Sequence, residues 1–407
     1  MHEPDLAERG GGPRAGAGHG RLTIALLSVT ASLPPTADRS ASGEPALDLA
    51  RALARAGHDV TVWTRRTAAE QPDAVSLAPR ARVRHLAAGP PQPLTDHELL
   101  PVLPEFAAAL TAAWSTERPD VVHAQSRLSG LVMLTAARDT GIPTVQSFAA
   151  GRAARGSRTI DGCLVSGVDQ VIASSAEMAD RLGRLGAARS TVAVLPSGVD
   201  AETFCPGGVS DPRAGRPRLV SLSGWEPSTG VDEVVAALAG VPQAELVVAG
   251  GGSNPHRERL AALAERYGVR DRVRLAGVLS QESASGLLRS SDIVVCVPWF
   301  ERPGSGALEA MACARPVVVS TVGGLTDTVI DGITGMHVPA REPRRLATAL
   351  RGLLSRAVLR EAYGVAGRDR VLARYSWDRV AEDTLVIYRR LVERPAADSV
   401  ARVRTGG

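Results

Sequence analysis

No lysine occurs anywhere in the 407 residues, so all 47 strongly basic side chains are arginines. Chemistry that depends on a lysine amine is thereby excluded. Aromatic residues are scarce at 3%, and the net charge of +4 is small for the length, with no basic block and no aromatic-studded strip. Composition therefore gives no support to nucleic-acid binding. The four cysteines (Cys163, Cys205, Cys296, Cys313) are scattered and fit no metal-ligand spacing. They read as reduced, mostly buried thiols of a reducing compartment. No apolar run is long enough to cross a bilayer. The Gly-, Arg- and Ala-rich residues 1–20 lack the apolar segment of a signal peptide and read, like 395–407, as a disordered tail. The expectation is a soluble, cytoplasmic protein.

At this length two domains of ~180 residues are the natural expectation. Apolar β-branched runs alternate with Ala/Leu/Arg helices: strand 22–29, helix 45–56 ending at Gly57, strand 59–64. That β-α-β unit opens a parallel sheet. Helix 105–117, strand 120–123, helix 131–139, strand 144–148, strand 171–173, helix 176–185 and strand 192–195 extend it, with a polar, arginine-rich loop at 152–162. Composition breaks at Pro206-Gly207-Gly208 and again up to Pro217, which places an inter-domain linker at 206–217. The alternation then restarts with strand 218–222, helix 231–239, strand 244–249, helix 255–267, strand 273–275, helix 283–289 and strand 293–297. Helices 346–354, 357–375 and 377–392 close the chain. Domains are thus expected at 21–205 and 218–376, with a last helical segment at 377–394. Gly250-Gly251-Gly252 lacks the spacing and following acidic residue of a dinucleotide fingerprint and reads as a structural turn.

One stretch, 298–324, concentrates the chemistry. Glu301 and Arg302 precede Gly304-Ser305-Gly306, a small-residue helix begins at Ala307 and carries Glu309, and the apolar run 316–320 reads as a buried strand. Bare backbone N–H groups at a Gly-Ser-Gly turn entering a helix suit an anion. Two glutamates with seven residues between them bracket that turn, and carboxylates accept hydrogen bonds from sugar hydroxyls. The combination fits a ligand that is part phosphate and part sugar. A plain strand–helix–strand unit with incidental glutamates is the competing reading.

Several segments in fixed order carry a resemblance: Ala56-Gly57-His58-Asp59-Val60, Pro119-Asp120-Val121-Val122-His123-Ala124, Leu195-Pro196-Ser197-Gly198-Val199-Asp200, the Glu301/Glu309 stretch, Gly323-Gly324 with Asp327, and Asp331-Gly332-Ile333-Thr334-Gly335. Over 22–392 the chain resembles the retaining glycosyltransferases of family 4, with the segment Glu98-Leu99-Leu100-Pro101 and the arginine-rich composition closest to actinobacterial members. The resemblance implies an α/β GT-B fold, two Rossmann-like doubly wound parallel-sheet domains facing a central cleft. The first would be the acceptor side, the second would bind a nucleotide sugar, and the last helix would cross back onto the first. It also implies roles: Glu309 on the donor ribose, Glu301 on the transferred hexose, the amides of Gly304, Ser305 and Gly306 facing the diphosphate or sugar, and Leu308 among the donor-binding residues. Val278 would lie near the base, Gly224, Trp225 and Thr229 at the diphosphate loop, and Ser40, Ala41, Gln125 and Ala149 on the acceptor side. His123 and Arg302 join Glu301 as catalytic candidates, with packing as the other reading of His123. No metal and no cofactor beyond the nucleotide sugar as co-substrate are implied. The leaving diphosphate would take the acceptor proton while the protein stabilises its developing charge.

The departures fall on that charge. Where the family has Gly-Arg and Lys-Gly after the first strand of the second domain, this chain has Gly224-Trp225 and Thr229-Gly230. The Gly-Gly loop of the first domain becomes Ser40-Ala41, His-x-His becomes His123-Ala124-Gln125, and Thr-Phe-His becomes Ser147-Phe148-Ala149. Losing one preorganised donor costs about 2.7–4 kcal/mol, and losing two leaves on the order of 10⁻⁴ of the rate. Arg302, or Arg152, Arg155 and Arg158 from the first domain, are the arginines available to clamp phosphate instead. Two functions follow: a metal-independent retaining transferase acting on a small-molecule or glycan acceptor, or a weakened pseudo-glycosyltransferase serving as a nucleotide-binding or non-catalytic protein partner. Both leave peripheral membrane contact open.

Overall fold

A computed structural model of the chain describes residues 20–29, 44–149, 157–213, 215–300 and 306–394. Eight strands form the first sheet: β1 (Thr23–Leu27), β2 (Asp59–Arg65), β3 (Ala74–Ala78), β4 (Ala81–Leu86), β5 (Val121–Ala124), β6 (Thr144–Phe148), β7 (Gln170–Ala173) and β8 (Val192–Val194). Their order is β3-β4-β2-β1-β5-β6-β7-β8, parallel throughout except for the antiparallel β3–β4 pair. Six strands form the second: β9 (Arg218–Ser221), β10 (Glu245–Ala249), β11 (Val273–Gly277), β12 (Ile293–Cys296), β13 (Val317–Ser320) and β14 (Gly335–Val338). Here the order is β11-β10-β9-β12-β13-β14, all parallel. Central strands such as β12 and β13 are buried along their whole length, the pattern of a parallel sheet covered on both faces.

Each sheet carries a helix layer on either side. Phe106, Leu110, Met133 and Leu164 fill one layer of the first sheet. Its other layer is built from Pro45–Arg55 and the closing helix Trp377–Val392, through Leu53, Val380 and Tyr388. In the second sheet, helices Val231–Leu238, Asn254–Arg266 and Pro343–Leu354 cover one face, and Gln281–Arg289, Gly306–Ala312 and Ala357–Arg374 the other. Among the described residues no helix is long and apolar enough to cross a membrane.

The chain passes between the two bodies at Val199 and at Ser376, which pair as a parallel bridge. The Val199 N–H donates to the Tyr375 carbonyl at 2.8 Å. Val199 and Phe204 already pack in the second sheet's core. The segment 206–217 is likewise no free tether: Arg289 donates to the carbonyls of Thr203, Cys205 and Val209, and Arg213 pairs with Asp292.

Other differences from the sequence expectation have local causes. The β3–β4 hairpin sits at the sheet edge with no buried residue in its outer strand, so its Ala/Ser/Arg pattern carries little apolar signal. Helix Arg127–Ala136 begins earlier than 131 because Ser126 caps it, its Oγ accepting from the Ser129 N–H. Helix Ser157–Gly167 covers the second half of the expected polar loop 152–162. Only two of the four cysteines are buried, Cys296 and Cys313, whereas Cys163 is exposed.

Candidate active site

In an open parallel sheet, ligands bind beyond the carboxyl ends of the strands where strand order reverses. In the second sheet that place lies between β9 and β12, whose partners run to opposite sides. Gly306 starts its helix there: a Cβ on it would stand 3.6 Å from both Cys296 Sγ and Leu222 Cβ. One turn on, Glu309 is 4% exposed. Its charge adds to burial in pushing the Cys296 thiol up to about 12. Leu308 is buried in the core with Val220 and Met311, so only its backbone is available to a ligand.

The loop after β9 is shaped by glycines. Gly224, at φ 79°, and Gly250, at φ 123°, touch back to back, and a Cβ on Gly250 would lie 2.6 Å from the Gly224 nitrogen. Gly250-Gly251-Gly252 is accordingly a structural contact between two strand ends. Trp225 turns inward rather than towards the open strand ends. It is 8% exposed, packs beneath Gly252 in the core, and its Nε1 has no partner among the described residues. Thr229 is 2% exposed and its hydroxyl donates to the Glu226 carbonyl at 2.6 Å. Val278, in contrast, is 68% exposed at the carboxyl end of β11.

A group that sequence reasoning missed adjoins this loop. Trp299 donates from Nε1 to Glu233 Oε1 at 2.8 Å and from its backbone N–H to the Ser228 carbonyl at 3.1 Å. The Arg341 guanidinium lies 4.3 Å from the Trp299 ring centre. Burial raises the Glu233 pKa and the Asp232 charge adds to it, against the Trp299 hydrogen bond and the Arg341 charge. No single-residue signal marks this trio, because its members are far apart in sequence.

On the first sheet, His123 is the penultimate residue of β5, and its ring packs against the closing helix Trp377–Val392, the packing reading. Nδ1 meets the Tyr388 hydroxyl at 2.6 Å and Nε2 the Ser147 hydroxyl at 2.7 Å, with 2% of the residue exposed. Gln125 follows β5, half-buried, with Nε2 lacking a partner among the described residues, and Ala149 lies exposed beyond β6. Nearby, Arg127 and Arg181 converge on the buried carboxylate of Asp161. Arg158 is exposed on helix Ser157–Gly167. Ser40, Ala41, Arg152, Arg155, Glu301, Arg302, Gly304 and Ser305 lie outside the described residues.

Comparison with known proteins agrees with this architecture. A family model described as Glycosyltransferase Family 4 matches residues 46–203, and one described as Glycosyl transferases group 1 matches 209–370. The D-inositol 3-phosphate glycosyltransferase of Kineococcus radiotolerans is 33% identical over an alignment that covers 94% of this chain and 98% of that protein. The chain belongs to glycosyltransferase family 4.

This family 4 glycosyltransferase is also 32% identical to the D-inositol 3-phosphate glycosyltransferase of Mycobacterium tuberculosis, across 94% of this chain and 86% of the relative. Among solved structures, the sucrose-phosphate synthase of Thermosynechococcus elongatus superposes with a TM-score of 0.82 at 27% identity, covering 91% of this chain and 99% of the other. Anabaena HepE, solved in complex with UDP and glucose, shares the fold at a TM-score of 0.72 and 18% identity, over 91% and 100% of the two chains. The glycosyltransferase therefore has the GT-B fold.

Proposed function

We propose that this enzyme moves a hexose from a nucleoside-diphosphate sugar to a hydroxyl of a small polyol-like or glycan acceptor, with retention at the anomeric carbon and without a metal. The observation that carries the reading is the placement of Glu309, a buried acid in the first turn of a helix that starts where the second sheet reverses its order. Glu309 accepts from the ribose hydroxyls, Gly224 and Gly306 let the donor approach bare backbone, and Val278 flanks the base. The acceptor lies against the first sheet near Gln125, and the names of the D-inositol 3-phosphate relatives support a cyclitol-like class. The new glycosidic bond forms on the face the diphosphate leaves, and a diphosphate oxygen takes the acceptor proton.

Calorimetric titration with UDP, GDP and ADP, followed by donor-turnover assays, tests the reading. Glu309→Ala should weaken the preferred nucleotide by about tenfold to a hundredfold, the worth of hydrogen bonds to a charged group. Unchanged affinity would remove Glu309 from the ribose. One observation favours a second reading, a nucleotide-binding partner without turnover: Trp225 and Thr229, where the resemblance expects two cations, are both buried. Tight nucleotide binding with neither hydrolysis nor transfer would select it.

A further inference from the structure

At the rim of the second sheet an arginine lies close to the turn where the resemblance expects positive charge. Arg259 is not it, since it donates to the Trp225 carbonyl at 2.7 Å and pairs with Asp232. Arg341 occupies the turn between β14 and helix Pro343–Leu354, with φ at 62°. A side chain held in that left-handed conformation carries backbone strain, and such residues cluster at ligand clamps. Its guanidinium stacks on Trp299, which is hydrogen-bonded to Ser228, the residue before Thr229, and to Glu233 in the first turn of helix Val231–Leu238. Three separate loops thus bring one cation to the turn that holds Thr229. Building on the donor-site reading above, we infer that Arg341 is the cation that meets the donor diphosphate, with Trp299 and Glu233 as the residues that position it.

The geometry suits the task. The guanidinium sits 4.3 Å from the Trp299 ring centre, and its five N–H donors suit bidentate contact with phosphate oxygens. Among the described residues no carboxylate stands within ion-pair distance of Arg341. Glu233, whose carboxyl feels the Arg341 charge, gives one oxygen to Trp299, while burial pushes its pKa up.

Titration of the full chain with UDP, GDP and ADP and with the matching monophosphates, in EDTA and in magnesium, tests the assignment. In Arg341→Gln the preference for the diphosphate over the monophosphate should fall by about tenfold to a hundredfold, with monophosphate affinity kept. Arg341→Lys should recover part of it by restoring charge without the fork, and Trp299→Leu should fall between. An unchanged preference in Arg341→Gln overturns the inference while leaving the donor site standing. So does a preference that vanishes in EDTA and ignores Arg341, or an equal loss for both nucleotide classes. Wild-type protein that binds none of the six nucleotides sinks the donor-site reading, and this inference with it.

Discussion

The imidazole of His123 is neutral in the folded protein because burial pushes its pKa from 6.5 down to about 3. The unfolded chain takes up a proton near 6.5 that the folded chain refuses, so this group's contribution is full above that pH. It is lost as pH falls from there towards 3. Urea unfolding should therefore show stability dropping with acid over that window, by at most ~1.4 kcal/mol per pH unit from this one group. His123→Gln should flatten the slope while lowering stability at pH 8 by about 1–3 kcal/mol, since Tyr388 or Ser147 loses a buried partner. His58 behaves alike: it is buried, accepts the Leu22 N–H at Nδ1, and burial lowers its pKa. The thiols separate by environment as well. Burial first, then Glu309, holds Cys296 up at about 12, and burial holds Cys313 at about 11, whereas Cys163 is exposed. Iodoacetamide followed by mass spectrometry should label Cys163 in the native protein and the two buried cysteines only after unfolding. Glu309 and its helix could be located from sequence because spacing alone places them. The fate of His123 could not, because it depends on strand alternation by one residue and on a tyrosine 265 positions away.

Among elements, those with a steady apolar period were legible before any coordinates. Strand β6 and the closing helix run over the very residues their sequences suggest. Elements whose signal is diluted by arginine, alanine and glycine were not, as β3, β4 and helix Ser157–Gly167 show. The family-like segments turn out to be mostly joints. Asp120 accepts the Thr23 N–H, the Thr334 hydroxyl accepts the Ile330 N–H, and Gly198 lies beneath Trp377. A Cβ at Gly198 would fall 2.4 Å from the indole. Gly198→Ala should consequently destabilise the protein by about 1–3 kcal/mol in urea unfolding. Arg55→Ala, which removes the exposed pair with Asp378 at the same joint, should change stability by less than about 1 kcal/mol. Equal effects would show that packing of the joint is not what matters there.

At the scale of the whole molecule, the two sheets are linked by more than chain connectivity. Besides the Val199–Ser376 bridge, the Ala176 N–H donates to the Asp327 carboxylate at 2.8 Å, from one sheet's helices to the other's. The closing helix lies against the first sheet, although it is the last segment of the chain to be described. A ribosome thus finishes every strand of that sheet long before it makes the piece that seals Leu26, Val121 and Ile172 from water. During synthesis the part of this face that helix Pro45–Arg55 does not cover stands open while the second body forms, a surface the mature enzyme never presents. A fragment ending at 205 should precipitate on expression alone, and should stay soluble when residues 377–394 are fused behind it.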